Sequence, residues 1–260
     1  MAGENKEQPE APTLPPTSGG GSSAEPTADY DLTQNISKYL DLHMLFPLLE
    51  FLEEKKIYNV AHVSQARLDL LKPTNMVDYA MDIYKSLHNT EECPDDMEAR
   101  REEVCQKMER LKEETMPLIG KMEEYLLTEE IMEVALEGAG GAGAERLSPA
   151  FVGLLFQKLV ERMQSEDRLT PQAFQAACGL SEDLLESLYH LSKFQYDCGD
   201  YELARAMLML YLSITQNTQT ERGFNALWGK FACEILNENW EAAVQEMMNL
   251  KQAIEDKPGS

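Results

Sequence analysis

The amino-acid sequence predicts an all-α protein, organised as a helical-repeat solenoid of antiparallel, tetratricopeptide-like helix pairs. The main observation is an internal repeat with a 39-residue offset, which aligns residues 188–210 with residues 227–249. Two further observations are that helical periodicity continues almost without interruption after Tyr30, and that no segment is a convincing β-strand. Helix–turn–helix units that recur along a chain stack on their neighbours, so these patterns favour a solenoid.

Both copies of the repeat show the same order of features. An apolar helix ends at a polar turn, an aromatic residue restarts the chain, and a small residue follows three positions later. Tyr201 and Ala204 occupy the last two positions in the first copy, and Trp240 and Ala243 occupy them in the second. We expect the aromatic residues to be structural wedges between helices and the alanines to allow close helix packing. Because one such pair cannot bury its own apolar face, a segment N-terminal to it should stack on it.

Composition divides the chain into five parts. Residues 1–28 contain five of the twelve prolines and one large aliphatic residue after the initiator, so we expect a disordered tail. This tail has neither the apolar run of a signal peptide nor the arginines of a transit peptide. An N-terminal helical domain is predicted over residues 29–137, and a Gly/Ala-rich joint over residues 138–147. The tetratricopeptide-like hairpins follow over residues 148–256, with a short tail at 257–260.

The N-terminal domain should begin with four helices and continue into a long fifth one. Pro47 is expected to open the second helix, since the first turn of a helix has no partner for the missing amide hydrogen. The third helix should cover roughly Val60–Leu71 and end before Pro73. Thr74 or Asn75 should cap the fourth.

The second of these helices carries the candidate partner-binding residues Phe46, Leu49 and Phe51. Apolar side chains lie on most sides of this helix, which is typical of a core position. Two interpretations are therefore open, namely a docking surface for another protein and burial in the core of this chain.

The longest periodic stretch runs over residues 95–127. Five apolar residues recur there at intervals of seven: Met97, Val104, Leu111, Leu118 and Tyr125. This heptad-like stripe predicts a long helix, interrupted on its apolar seam by Arg101 and Thr115 and kinked near Pro117. The helix could pack along its own domain or pair with a partner protein.

Charge and cysteine content narrow the class of protein. The chain has 23 basic and 46 acidic residues, for a net charge of −23. Such a chain is a poor general binder of phosphate backbones, so we expect no strong direct nucleic-acid binding and a preference for basic protein partners. Five scattered cysteines favour reduced thiols in a cytosolic or nuclear protein. No apolar run is long enough to span a membrane.

The sequence predicts no catalytic, cofactor-binding or metal-binding residues. Residues 223–230 (GFNALWGK) resemble a phosphate-binding loop, but five residues separate the glycines, Phe231 replaces the Ser or Thr, and no strand precedes them. Trp228 and Phe231 are better explained as repeat core. The four histidines show neither i, i+4 pairs nor a nearby cysteine at metal-ligand spacing.

Several blocks resemble the e subunit of eukaryotic translation initiation factor 3. They are YDLT at 30–33, LFPLLEFL at 45–52, IYN at 57–59, LDLL at 68–71, TNMVDYAMDIYK at 74–85, KFQYDCGDY at 193–201 and LWGK at 227–230. The resemblance covers residues 29–256, departs from the family pattern at 126–177, and corresponds to the N-terminal half of the family. The family's chain continues into a winged helix past the point where this one ends.

The resemblance implies a non-catalytic, cytoplasmic scaffold with a possible nuclear pool. Family members combine helical repeats with a PCI module, which is a set of helical repeats ending in a winged helix. Their partners are other subunits of the factor, the small ribosomal subunit through the complex, and the scaffold protein of the cap complex. The complex helps to recruit messenger RNA. Two alternatives are a PCI-type scaffold of another assembly, such as the proteasome lid or signalosome, and a free-standing regulator that binds initiation partners.

Overall fold

The computed structural model describes residues 39–56, 58–126, 145–165 and 171–256, and all of the regular structure in them is helical. The α-helices are α1 (Leu42–Glu54), α2 (Val60–Leu71), α3 (Val77–His88), α4 (Asp95–Leu126), α5 (Pro149–Ser165), α6 (Pro171–Cys178), α7 (Glu182–Asp197), α8 (Tyr201–Thr215), α9 (Glu221–Leu236) and α10 (Trp240–Glu255). A 3₁₀ turn at Glu145–Leu147 precedes α5. The prediction of an all-α, solenoid-like fold is confirmed. The predicted tails at 1–28 and 257–260, and residues 138–144 of the predicted joint, lie outside the described residues.

The 39-residue repeat appears in the structure as two helix pairs with matching bounds. Helices α7 and α9 begin and end 39 residues apart, and α8 and α10 begin 39 residues apart. The turns also match, because Gly199 (φ +88°) and Glu238 (φ +58°) both adopt left-handed backbone conformations. In each turn the next amide donates back into the preceding helix, from Asp200 to the Gln195 carbonyl at 3.0 Å and from Asn239 to the Glu234 carbonyl at 2.9 Å. The same helix-ending motif is therefore built twice.

The four repeat-anchor residues do not share one environment. Ala204 and Ala243 are buried and Tyr201 is half-buried, whereas Trp240 is 61% exposed. The expectation that Trp240 is a wedge between helices is therefore wrong. Side chains from the N-terminal helices pack over Tyr201, but no described element covers Trp240. Trp228, expected in the repeat core, is 45% exposed.

The main core lies where α4, α5, α7 and α8 meet. The α4 stripe is buried there through Val104, Leu111 and Leu118, so this helix packs along the chain's own helices. Thr115, which seemed to interrupt the stripe, is fully buried and donates its hydroxyl to the Leu111 carbonyl at 2.8 Å. Its polar group is satisfied within the helix, and its methyl group can join the apolar seam.

A smaller core holds α1, α2 and α3 together. Its buried members are Phe46, Leu68, Leu71, Ala80 and Ile83. The long helix joins this unit to the main core, because α3 packs on α4 and α4 packs on α7. The chain is thus a short N-terminal three-helix unit and a tandem-repeat unit bridged by one long helix.

Two expected helix starts differ from the structure. Pro47 does not open a helix but lies inside α1, which begins at Leu42 because the Asp41 carboxylate caps it by accepting from the His43 amide at 2.9 Å. At the start of α3, Met76 is the N-cap residue, and Thr74 accepts from the Met76 amide at 3.2 Å. The residue that caps a helix is the one whose side-chain oxygen reaches a free backbone amide of the first turn. Composition alone does not specify that geometry.

Candidate partner-binding surfaces

Helix α1 has a buried face and an exposed apolar face. Phe46 and Leu49 are buried against the rest of the chain, so the sequence prediction that they contact a partner is wrong. Phe51 is 51% exposed, and Leu48, three residues earlier on the same helix face, is 55% exposed. The Lys55 ammonium lies 5.6 Å from the Phe51 ring centre. We call Leu48 and Phe51 the α1 outer surface; the i, i+3 spacing of Leu48 and Phe51 was the signal that could have identified it.

A polar network holds α1 against α2 and α3. Arg67 donates to the Glu53 carboxylate at 2.7 Å and to the Tyr79 hydroxyl at 3.2 Å, and Tyr79 donates to Glu50 at 3.1 Å. Arg67 is buried, so these charge-assisted contacts are shielded from solvent more than a surface ion pair would be. Burial raises the pKa of Tyr79, against the opposing charge of Arg67. The network anchors the side of α1 beside the exposed Leu48 and Phe51.

The N-terminal end of α1 lies against the first repeat turn. His43 Nδ1 is hydrogen-bonded to the Tyr201 hydroxyl at 2.9 Å, and Tyr196 donates its hydroxyl to Asp41 at 3.1 Å. The three rings also touch, with centroids 4.6 Å apart for His43 and Tyr196 and 5.5 Å apart for the two tyrosines. We call these four residues the aromatic junction. It ties the N-terminal unit to the repeats through residues that are more than 150 positions apart in the chain.

The electrostatics of the junction favour the uncharged forms of its three rings, those of His43, Tyr196 and Tyr201. Burial lowers the pKa of His43, although Asp41 acts in the opposite direction. Burial, reinforced by Asp41, raises the pKa values of Tyr196 and Tyr201 well above their usual range. At neutral pH an uncharged imidazole therefore meets two protonated phenols. This arrangement is suited to structural positioning.

A second contact fixes the turn between α7 and α8 to the start of α3. Gly199 approaches Met76 so closely that an added Cβ would lie 2.8 Å from the Met76 methyl carbon. The Asn75 amide donates to the Asp197 carbonyl at 3.2 Å, and Arg100 of α4 donates to the Asn75 side chain at 2.8 Å. The turn after α7 thus connects the two helices of the first repeat and also contacts the N-terminal unit.

The part of the chain that the structure describes contains no group of three or more His, Cys, Asp or Glu residues placed to hold a metal ion. Residues 223–230 lie within α9, so they do not form a phosphate-binding loop. Burial raises the pKa values of Cys178, Cys198 and Cys233 to about 12, and these thiols are protonated at neutral pH. Among the described helices, none is long and apolar enough to cross a membrane.

Comparison with known proteins shows which family the N-terminal part of this chain resembles. Residues 31–137, which contain α1 to α4, match the family model of the "eIF3 subunit 6 N terminal domain". Over these residues the chain is similar to that domain. The resemblance to the e subunit of translation initiation factor 3 is thereby confirmed, and the α1 outer surface lies within the family's domain.

Relatives extend the similarity beyond the family's domain. A protein of Arabidopsis thaliana, named as the E subunit of eukaryotic translation initiation factor 3, is 34% identical over 90% of this chain and 45% of its own length. Proteins of the same name are 31% identical in Aspergillus fumigatus, over 96% of this chain and 48% of theirs, and 28% identical in Bombyx mori, over 87% and 44%. Each match covers most of this chain, and this chain spans about half the length of these relatives.

Proposed function

We propose that this chain is a non-catalytic scaffold subunit of translation initiation factor 3 that works in the cytoplasm. It binds sister subunits through helical faces and thereby contributes to the recruitment of messenger RNA to the small ribosomal subunit. The observation that carries the proposal is the match of residues 31–137 to the family's N-terminal domain. Through the assembled complex, the small ribosomal subunit and the cap-complex scaffold protein are further partners.

The α1 outer surface is our candidate contact within that domain. Leu48 and Phe51 expose apolar area on a helix that the Arg67 network and the aromatic junction hold in place. Burial of aromatic and aliphatic side chains presented on a rigid helix contributes strongly to protein–protein affinity, because little ordering is needed on binding. The net charge of −23 further favours partners with basic rims.

The test is affinity capture of the tagged full chain from cytoplasmic extract, before and after ribonuclease treatment, with bound proteins identified by mass spectrometry. We expect other subunits of the factor to be recovered in a ribonuclease-resistant manner. The double variant L48E/F51E should recover fewer of them, since two charges would enter the contact. Both residues are exposed in the free chain, so the variant should keep its circular dichroism and melting temperature.

The same measurement separates the alternatives. Recovery of proteasome-lid or signalosome subunits instead would indicate a scaffold of another assembly. A folded chain that recovers initiation partners but does not sediment with the small ribosomal subunit would indicate a free-standing regulator. Recovery of initiation-factor subunits that is unchanged in L48E/F51E would overturn the α1 outer surface and leave the subunit assignment in place.

A further inference from the structure

An open cleft lies among four consecutive helices inside the helical array. Its described lining residues come from α6, α7, α8, the loop after α8, and α9. The cleft has a volume of about 650 Å³, within the range of about 300–1,000 Å³ that is usual for ligand-binding pockets. Leu185 and Tyr211 are buried at its base, whereas Glu182, Asn217 and Glu221 are exposed at its rim. We call it the repeat cleft.

Two equivalent acidic residues of the tandem repeat line this cleft. Glu182 and Glu221 are the first residues of α7 and α9, so they are 39 positions apart. Among the described residues, neither carboxylate has a salt-bridge partner. Arg222, the cation that lines the cleft, already donates to the Glu186 carboxylate at 2.8 Å. The rim of the repeat cleft therefore carries two negative charges that no neighbouring cation neutralises.

The other polar side chains of the cleft suit a peptide main chain. Four of them are carboxamides, namely Gln172, Gln175, Asn217 and Asn225. A carboxamide both donates and accepts hydrogen bonds, as a peptide group does. The Tyr189 hydroxyl is hydrogen-bonded to Asn225, and its ring centre lies 5.5 Å from that of Tyr211. Aromatic rings beside carboxylates favour the alkyl stem and cationic end of Lys or Arg.

We propose that the repeat cleft binds an extended, basic segment of a partner protein, with two Lys or Arg side chains paired with Glu182 and Glu221. Charge complementarity carries the assignment. A phosphate-bearing ligand such as RNA would meet the two carboxylates, while the charge of Arg222 is already balanced by Glu186. The site goes beyond the proposed function, since it does not depend on the identity of the partner.

The repeat also specifies the spacing of the two basic residues. Helices α7 and α9 are in contact, and the axes of packed helices are about 8–10 Å apart. Alternate residues of an extended chain lie about 7 Å apart and point to the same side. Long side chains span the small difference. The segment should therefore carry its basic residues at positions i and i+2.

The test is selection from a phage-displayed library of random dodecapeptides on the purified full chain. We expect the enriched sequences to contain two basic residues at i and i+2. The most enriched peptide, synthesised with a fluorescent label, should bind in a fluorescence-anisotropy titration. Its affinity should fall about tenfold or more in E182Q/E221Q, and it should weaken with rising salt because charges at an exposed rim are screened.

E202Q/E241Q is the matched control. Glu202 and Glu241 are exposed acids in the first turns of α8 and α10, and neither lines the repeat cleft. This variant has the same net charge as E182Q/E221Q and should keep the peptide affinity within about twofold. All four residues are exposed, so both variants should keep the circular dichroism and melting temperature of the original chain.

Two competitors identify the class of ligand. Spermidine supplies amines without peptide groups and should displace the labelled peptide at least about a hundredfold less effectively than the unlabelled peptide does. An oligouridine dodecamer should not displace it. Displacement by spermidine as effective as by the peptide would overturn an extended peptide as the occupant, and displacement by oligouridine would indicate a nucleic-acid site instead.

The selection itself can also contradict the proposal. Enrichment of no basic sequence would overturn it, and so would a peptide that binds E182Q/E221Q and the original chain equally well. These results leave the proposed function untouched, because that function is tested by the recovery of initiation-factor subunits from extract.

Discussion

The imidazole of His43 and the hydroxyl of Tyr201 are hydrogen-bonded at 2.9 Å, although 158 positions separate the two residues. His43 lies in the first turn of α1, and Tyr201 is the first residue of α8. The N-terminal three-helix unit thus meets the repeats at a polar contact within an aromatic cluster. This contact sets the position of α1, and with it the α1 outer surface, relative to the repeats.

Tyr201→Phe should destabilise the chain by about 1–2 kcal/mol. The ring would keep its packing, but the buried His43 would lose its partner, and an unsatisfied buried group costs about that much. Urea denaturation followed by circular dichroism measures the change. Tyr84→Phe is the matched control, since the Tyr84 ring contacts His88 and its hydroxyl has no hydrogen-bond partner among the described residues. Equal effects of the two substitutions would contradict a structural role for the junction.

Acid should weaken the junction through His43. Its pKa is lowered in the folded chain because burial disfavours the imidazolium, so the unfolded chain binds the proton more readily. The stability that this group contributes is complete above its unfolded pKa of about 6.5 and is lost as the pH falls through the lower folded value. The free energy of unfolding, measured from pH 7.5 down to pH 5, should show this decline.

His43→Asn should flatten the pH dependence in that window, since the titrating group is removed while a side chain capable of hydrogen bonding remains. Burial raises the pKa of Asp197 near the same turn, so the contribution of this carboxyl to the pH dependence of stability has the opposite sign. A decline that is equally steep in His43→Asn would assign the acid sensitivity to another group.

Glu238→Gly should stabilise the second repeat by about 0.5–1 kcal/mol. Glu238 holds φ at +58°, a conformation that costs a residue with a Cβ about 1–2 kcal/mol and that glycine adopts freely. The extra flexibility of glycine in the unfolded chain offsets part of the gain. Thermal and urea denaturation give the sign of the change.

Gly199→Ala is the reciprocal substitution and should destabilise the chain by more than 1 kcal/mol, on the order of the cost of a left-handed alanine. Gly199 has φ of +88°, and the new methyl group would also press against Met76. Opposite signs for the two substitutions would support the shared turn geometry. Stabilisation by both would show that the turns differ in solution.

Trp240→Ala should lower the free energy of unfolding by less than about 1.5 kcal/mol, although it removes a tryptophan side chain from the repeat. The reason is that 61% of Trp240 is already exposed to solvent. Leu188→Ala, at a fully buried position of α7, should cost about 2–5 kcal/mol through lost burial and the cavity left behind. If the tryptophan substitution costs as much as the leucine substitution, Trp240 is a wedge after all.

The cysteines should differ in their reactivity towards a thiol reagent. Cys105 is exposed on α4, whereas Cys178 and Cys233 are buried and their pKa values are raised to about 12. Since the thiolate is the reacting form, Cys105 should be labelled at pH 8 and the two buried thiols only after denaturation. Mass spectrometry of labelled peptides reads out each site. Fast labelling of Cys233 in the native chain would indicate local opening of α9.

Local patterns in the sequence by themselves determined several of the helices of this protein. The bounds of α2, the extent of the long helix and the 39-residue repeat could be read from the chain, because helical periodicity, turn residues and a recurring unit are properties of neighbouring residues. The same kind of pattern identified α1 as apolar on most of its sides. The resemblance to the family could also be read from the chain, since blocks such as 45–52 and 74–85 are contiguous segments that occur in order.

Only the tertiary structure decided which apolar residues are covered. Tyr201 and Trp240 occupy equivalent positions in the repeat, yet the first packs under His43 and Met76 and the second faces solvent. On α1, Phe46 and Leu49 turned inwards and left Leu48 and Phe51 outside. Burial depends on what another part of the chain places against a residue. For these positions the covering residues are distant in sequence, and no local pattern contains that information.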